Sequence, residues 1–259
     1  MELKLVQNKD NKLVFIIRDT TPGFINTLRR VMISDVPTLA VKKVTFTKNN
    51  SALFDEMIAH RLGMLALTSD SVSYNLTSKC SCKGEGCTKC QSSMILKAEG
   101  PLTVYASDLK FQDTNVKPVY PKTPIIKLLK GQELEFEAAM GLGTGNEHAK
   151  FSPCLAFYRG VPQFTVNKKT KVRECIELCN GMLKEKGETV EVADLTKWNE
   201  AHEEICENHE ITIQNSERDF IFVIESWGKM PPEKIFEKAL DVLDEKLDEF
   251  SSLLEKAKS

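Results

Sequence analysis

Four cysteines occupy one short stretch of the chain, KCSCKGEGCTKCQ. Cys80, Cys82, Cys87 and Cys90 make up half of the eight cysteines present. No large apolar side chain lies between the first and the last, so this segment cannot build a hydrophobic core of its own. Four thiolates around one tetrahedral metal ion replace core burial with coordination energy. The segment is therefore predicted to fold around a metal.

The pattern C-x-C-x4-C-x2-C also indicates the role of that metal. Four thiolates fill a tetrahedral shell and leave no open position for water, which makes the site structural. Gly84 and Gly86 provide the backbone freedom that brings the two cysteine pairs together. One Zn²⁺ is the predicted ion. An iron centre and four free thiols on an exposed loop are the alternatives.

The composition narrows the class of protein. The 259 residues are 28% charged and 41% hydrophobic with a net charge of −2, so there is no basic excess of the kind that binds nucleic acid. No apolar run approaches the roughly 20 residues needed to cross a bilayer, and no signal-peptide core is present. We expect a cytoplasmic chain without a membrane partner. Thiols stay reduced there, which favours metal ligands over disulfides.

Periodicity predicts the main elements. Residues 2–7 and 13–18 read as strands, residues 219–226 as a buried central strand, and residues 134–140 as another strand. The glycine-rich residues 141–145 are predicted to form a loop. Helices are predicted from Thr20-Thr21-Pro22 and from about Pro232. Each helix carries an apolar stripe, the first with Phe24, Leu28 and Met32, the second with Phe236, Leu240, Leu247 and Phe250.

Two long blocks, NTLRRVMISDVPTLAV and SALFDEMIAHRLGMLAL, resemble a known family. They are similar to the D subunit of archaeal DNA-directed RNA polymerase, a relative of the third-largest subunit of eukaryotic RNA polymerase II and of the bacterial α N-terminal domain. HAKFSP at 148–153 fits a later block of the family, with Phe151 where tryptophan is common. The resemblance covers essentially the whole chain.

The resemblance implies an α+β fold made of three parts. Residues 1–50 and 209–259 would form a discontinuous α/β dimerisation domain. Residues 51–165 would form an inserted, mainly-β domain that carries the four-cysteine loop at 80–90. Residues 166–208 would form a degenerate ferredoxin-like module.

The resemblance also implies the partners and the role. The expected partner is the small subunit L, and the heterodimer would be the platform on which the large catalytic subunits and other small subunits assemble. The chain would have no catalytic residue of its own and would meet DNA only through the complex. The residues expected to bind partners are Phe24, Leu28, Arg29, Arg30, Met32, Phe236, Leu240, Leu247 and Phe250.

A second cysteine group lies in the predicted module. Many of the archaeal D subunits that the chain resembles carry C-x2-C-x2-C-x3-C-P runs here, which bind iron–sulfur clusters. This chain keeps only Cys175, Cys179 and Cys206. Three thiolates cannot build two clusters, and in the usual interleaved ligation they would fall on opposite clusters. We predict a module without an iron–sulfur cluster; a single cluster with one non-cysteine ligand is the alternative.

Two other classes of function stay open from the sequence. One is a redox-sensing iron–sulfur protein that uses the three cysteines of the second group. The other is a zinc-dependent nucleic-acid-binding protein, for which Lys79, Lys83 and Lys89 flank the four-cysteine loop. The missing ligands argue against the first, and the slightly acidic chain argues against the second.

Overall fold

The computed structural model describes residues 1–69, 74–83, 85–167, 171–187 and 189–258. Gly84 therefore lies outside the described residues. The chain divides into two compact units, Met1–Arg29 with Ala156–Ile224 and Arg30–Leu155 with Glu225–Ser259. This division does not follow the predicted domain boundaries, which stay a prediction. Helices and sheets occur together, and the predicted α+β class is confirmed.

The first unit is built on a four-stranded sheet. Its order is β1-β2-β12-β9, so the residues predicted as a buried central strand do lie between two neighbours. Phe15 and Phe222 stack with ring centroids 5.4 Å apart, and Tyr158 meets Phe220 edge-on at 5.6 Å. The strands of this sheet are β1 (Glu2–Lys9), β2 (Lys12–Arg18), β9 (Cys154–Val166) and β12 (Ile211–Ser226).

Helix α1 (Pro22–Ser34) follows β2 and begins where the sequence predicts. The backbone N–H of Phe24 donates to Thr21 Oγ1 at 3.3 Å, so Thr21 is the capping hydroxyl. Pro22 occupies the first turn, where its missing N–H costs nothing.

A small module within the first unit has its own apolar cluster. Its core includes Val172, Leu183, Val190 and Trp198 together with the three cysteines of the second group. The module consists of α3 (Val172–Leu178), a hairpin of β10 (Leu183–Lys186) and β11 (Thr189–Val192), and α4 (Glu200–Asn208).

The second unit contains a four-stranded sheet of order β3-β8-β4-β6 and a two-stranded sheet of β5 and β7. Alternate residues of β8 and β4 face a common core that includes Met94, Phe136 and Met140. The strands are β3 (Thr38–Asn49), β4 (Gln91–Glu99), β5 (Leu102–Tyr105), β6 (Lys110–Phe111), β7 (Pro124–Leu128) and β8 (Glu133–Gly143).

Two helices complete the second unit, α2 (Asp55–Gly63) and α5 (Pro232–Lys258). The predicted terminal helix is confirmed. The predicted loop at 141–145 is wrong for its first part, because β8 continues to Gly143. Gly143 is needed there: a Cβ atom at this position would lie 2.6 Å from Cζ of Phe151. Gly143 therefore makes room for the ring of Phe151 within a strand and does not form a turn.

Candidate metal centres and interaction surfaces

The four-cysteine loop brings its sulfur atoms together as the spacing predicts. All four Sγ atoms lie within 4.8 Å of one another. The Sγ–Sγ distances are 3.6 Å for Cys80–Cys87, 3.6 Å for Cys82–Cys90 and 3.9 Å for Cys87–Cys90. Zinc–sulfur bonds of about 2.3 Å in a tetrahedron put the sulfurs about 3.8 Å apart. The donor set and its size therefore fit a tetrahedral metal ion.

The backbone around the loop is shaped to hold this set. The N–H groups of Cys90 and Gln91 donate to the carbonyl of Cys87 at 2.9 and 2.8 Å, and the N–H of Lys83 donates to that of Cys80 at 3.1 Å. Gly86 has φ +89°, a conformation that other residues rarely adopt. The predicted role of Gly86 in the turn is thus supported by its geometry.

Without a metal, a buried thiol of this loop resists ionisation. The backbone N–H of Cys87 donates to Sγ of Cys90 at 3.3 Å and favours its thiolate. Burial and the neighbouring thiols outweigh that bond and raise the pKa of Cys90 to about 12. A bound cation would have to displace this proton, so metal binding would weaken as the pH falls.

The three cysteines of the second group also lie together, inside the module core. All of their Sγ atoms are within 4.8 Å of one another, and Cys175 Sγ lies 3.4 Å from Cys206 Sγ. The family's interleaved ligation would place these ligands at two clusters, whereas here α3 and the last turn of α4 bring them together. Burial raises the pKa of the Cys179 thiol to about 11, with Cys175 adding to the effect.

A lysine that the sequence analysis did not single out holds the HAKF block. Lys229 is 6% exposed, and its ammonium donates to the carbonyl of Lys150 and, at 3.4 Å, to Thr38 Oγ1. Thr38 Oγ1 in turn donates to the carbonyl of Phe151 at 2.5 Å. Burial, reinforced by the positive charge of Lys150, lowers the pKa of Lys229 to about 8.

Two lysine ammonium groups lie close to the ring of Phe151. Lys42 Nζ and Lys150 Nζ are 5.4 and 5.2 Å from its centroid, within the range of cation–π attraction. Lys150 Nζ also donates to the carbonyl of Val41 at 2.8 Å. We refer to Thr38, Lys150, Phe151 and Lys229 as the HAKF clamp.

The arginines of α1 differ in their surroundings. Nε and Nη2 of Arg29 donate to Asn26 Oδ1 at 3.1 and 2.9 Å, so the asparagine of the N-x-L-R-R block orients this guanidinium. Arg30 is exposed. Leu28 and Met32 are 1% and 0% exposed in the chain itself, so the partner-surface prediction does not hold for these two residues. Phe24 is half-buried.

The apolar side chains of helix α5 become more exposed along its length. Ile235 and Ala239 are fully buried, and Phe236 and Leu240 are half-buried. From the middle onward the apolar side chains are exposed, at 55% for Leu247, 60% for Phe250, 54% for Leu253 and 45% for Leu254. We call these four residues the α5 seam.

Ion pairs join α5 to other parts of the second unit. Lys246 Nζ lies 2.9 Å from Asp35 Oδ2, and Lys79 Nζ, next to the four-cysteine loop, lies 2.7 Å from Glu245 Oε2. Both partners of the second pair are about two-thirds exposed, so that pair contributes little stability. Among the helices of the described ranges, none is long and apolar enough to cross a membrane.

Comparison with known proteins first defines the class. Residues 43–153, which hold the four-cysteine loop and most of the second unit's sheets, match the RNA polymerase Rpb3/RpoA insert domain. The chain is 37% identical over 258 residues to DNA-directed RNA polymerase subunit Rpo3 of Archaeoglobus fulgidus, covering 98% of both chains. It is 35% identical to subunit Rpo3 of Methanothermobacter thermautotrophicus, over 98% of this chain and 99% of the relative.

Subunit Rpo3 of Pyrococcus horikoshii is also 35% identical, over 99% of this chain and 98% of the relative. The chain belongs to the Rpo3 family of DNA-directed RNA polymerase subunits. The resemblance to the D subunits of archaeal RNA polymerase is thereby confirmed.

Sequence reasoning missed two features that long-range packing creates. Lys229 stands out in the sequence only as part of a Gly-x-x-Pro turn, and nothing there signals that its ammonium is buried. Cys179 lies beside Cys175 and Cys206, whereas the interleaved ligation of ferredoxin runs would assign these cysteines to different clusters. A helical four-residue spacing between Cys175 and Cys179 was the available signal for their shared face.

Proposed function

We propose that the chain is a non-catalytic assembly subunit of DNA-directed RNA polymerase that pairs with the small subunit L and supports the large catalytic subunits and other small subunits. The observation that carries the proposal is the full-length similarity to relatives named as Rpo3 subunits of this enzyme. The predicted dimerisation domain, residues 1–50 with 209–259, is part of the proposal, as is a location in the reducing cytoplasm. DNA is met only through the complex.

The α5 seam supports the pairing. Its four apolar side chains recur at helical spacing and are about half exposed or more, which is a costly arrangement for a chain that stays alone. Covering each side chain contributes roughly 1.5–3 kcal/mol before the cost of association. Arg29, oriented by Asn26, and exposed Arg30 are suited to carboxylates or carbonyls of a larger subunit.

The four-cysteine loop is proposed to hold one structural Zn²⁺. The tetrahedral fit of its four sulfurs supports this, and the absence of an open ligand position among them gives the ion no catalytic role. Cys80, Cys82, Cys87 and Cys90 would hold the ion and fix the fold of the loop. The module with Cys175, Cys179 and Cys206 is proposed to have kept a ferredoxin-like fold without an iron–sulfur cluster.

Co-expression with subunit L tests the pairing. We expect a stable one-to-one complex by native mass spectrometry, and a Leu247→Glu, Phe250→Glu variant that weakens it at least 100-fold. Leu129→Glu is the matched control, since Leu129 is 56% exposed in a loop outside the seam. A wild-type chain that stays monomeric beside subunit L would refute the pairing.

A further inference from the structure

Three fully buried thiols meet in the small module. Cys175 and Cys179 are four residues apart at α3 and share one face, and the N–H of Cys179 donates to the carbonyl of Cys175 at 2.9 Å. Cys206 comes from the last turn of α4 and places its Sγ 3.4 Å from that of Cys175. All three side chains are 0% exposed.

The size of this triangle distinguishes one ion from a cluster. With metal–sulfur bonds of about 2.3 Å, three thiolates around one ion lie about 4.0 Å apart. The observed sulfurs all lie within 4.8 Å of one another, and Cys175 Sγ and Cys206 Sγ are 3.4 Å apart. In a [4Fe–4S] cluster each thiolate binds a different iron, and in a [2Fe–2S] cluster three thiolates cannot all bind the same iron, so at least one pair of sulfurs is held farther apart.

The three sulfur atoms and the side chains around them favour a soft metal ion. Thiolates favour Cu(I) and Zn²⁺, whereas hard cations need oxygen ligands. Within the described part of the chain, no histidine or carboxylate joins the three sulfurs as a further ligand. The neighbouring side chains Val172, Leu183 and Trp198 are apolar and exclude water. Three sulfurs without a fourth ligand suit Cu(I) better than Zn²⁺, which is almost always four-coordinate in structural sites.

We propose that Cys175, Cys179 and Cys206 form a second metal site that binds one thiophilic cation, Cu(I) in preference to Zn²⁺, in three-coordinate sulfur geometry. On binding, the thiols release their protons to solvent and three metal–sulfur bonds form, with no electron transferred. The ion would tie α3 to α4 and stabilise the module. This proposal does not depend on assembly into a polymerase.

Metal stoichiometry of the full chain tests the site. The metal-free protein is prepared under anaerobic, reducing conditions and titrated in separate arms with Zn²⁺ and with Cu(I) supplied as its acetonitrile complex. We expect two ions per wild-type chain with Cu(I) and one for Cys206→Ser. Cys154→Ala, which removes a buried thiol outside both groups, should keep two.

A second readout avoids dependence on a variant that fails to fold. The chain has two tryptophans, and Trp227→Phe leaves Trp198, which packs in the same core as the three thiols. Its fluorescence should change with one of the two Cu(I) equivalents and stay unchanged in a Trp227→Phe, Cys179→Ala protein.

Three results would overturn the proposal. The first is one ion per wild-type chain with no response of Trp198, which would show three thiols that are only packed together. The second is a Cys175–Cys206 disulfide in protein kept under reducing conditions. The third is iron with inorganic sulfide at the module. Equal affinity for Zn²⁺ and Cu(I) would overturn the stated preference.

Discussion

We predict that the stability of the fold depends on pH through the HAKF clamp, because its central hydrogen-bond donor is the titratable group of Lys229. Lys229 is buried, and its pKa of about 8 lies below the ordinary value of 10.5. The lowered value means that the fold disfavours the charged form. Below pH 8 the folded and unfolded chains both carry the proton, and the full cost of burying the charge is present.

The sign of the effect follows from proton counting. Between pH 8 and 10.5 the unfolded chain binds the Lys229 proton while the folded chain has released it, so raising the pH favours the folded state. Above both pKa values Lys229 is neutral in the folded and the unfolded chain, and burying it no longer carries the cost of burying a charge. The gain from pH 7 to pH 9.5 is about 2 kcal/mol for this group alone, and the limiting gain is about 3 kcal/mol.

Replacing the group isolates its contribution from other titrations. We expect the free energy of unfolding of the wild type, minus that of Lys229→Met, to rise by about 2 kcal/mol between pH 7 and pH 9.5. Denaturant unfolding at several pH values measures it. Lys130→Met is the control, because Lys130 is exposed. The unfolding free energy of the wild type, minus that of Lys130→Met, should stay constant between pH 7 and pH 9.5.

At pH 7 the two effects of Lys229→Met oppose each other. The variant removes a buried charge but leaves the carbonyl of Lys150 without the ammonium donor, a loss of about 1–3 kcal/mol. A difference that does not change with pH would refute the reasoning. So would a direct NMR titration of the Lys229 side chain with a midpoint near that of an exposed lysine.

Two further predictions concern the second unit. Cys87→Ser should abolish tight metal binding at the four-cysteine loop and expose it to protease, with metal content by mass spectrometry as the readout; unchanged content would exclude the tetrahedral site. Gly143→Ala should cost about 1–3 kcal/mol in unfolding free energy, because its Cβ would lie 2.6 Å from Cζ of Phe151. Gly23→Ala is the control for the latter, since it meets no atom within 4 Å, and equal stability of the two variants would contradict the steric argument.

The sequence was most reliable where a short segment determines its own structure. The start of α1 follows from Thr21 and Pro22, because the cap and the first turn are adjacent in the chain. The central position of residues 219–226 follows from an uninterrupted apolar run that needs burial on both faces. The end of β8 was missed because glycine favours a turn locally, whereas here it admits the ring of Phe151.

The partner surface shows the opposite case. Phe24, Leu28 and Met32 recur at helical spacing, as the residues of the α5 seam also do, so periodicity alone does not tell an internal face from an external one. Only the folded chain shows that Leu28 and Met32 are internal while Leu247 and Phe250 are exposed.

The sequence by itself determined the four-cysteine cluster, the main strands and helices, and the family. These depend on residues close in the chain or on long matching blocks. Only the tertiary structure decided that Cys175, Cys179 and Cys206 lie together, and that Lys229 meets Thr38 across 191 residues of chain. Contacts of this kind arise because burial of apolar surface brings distant segments together, and the polar and sulfur atoms carried with them must then find partners inside the protein.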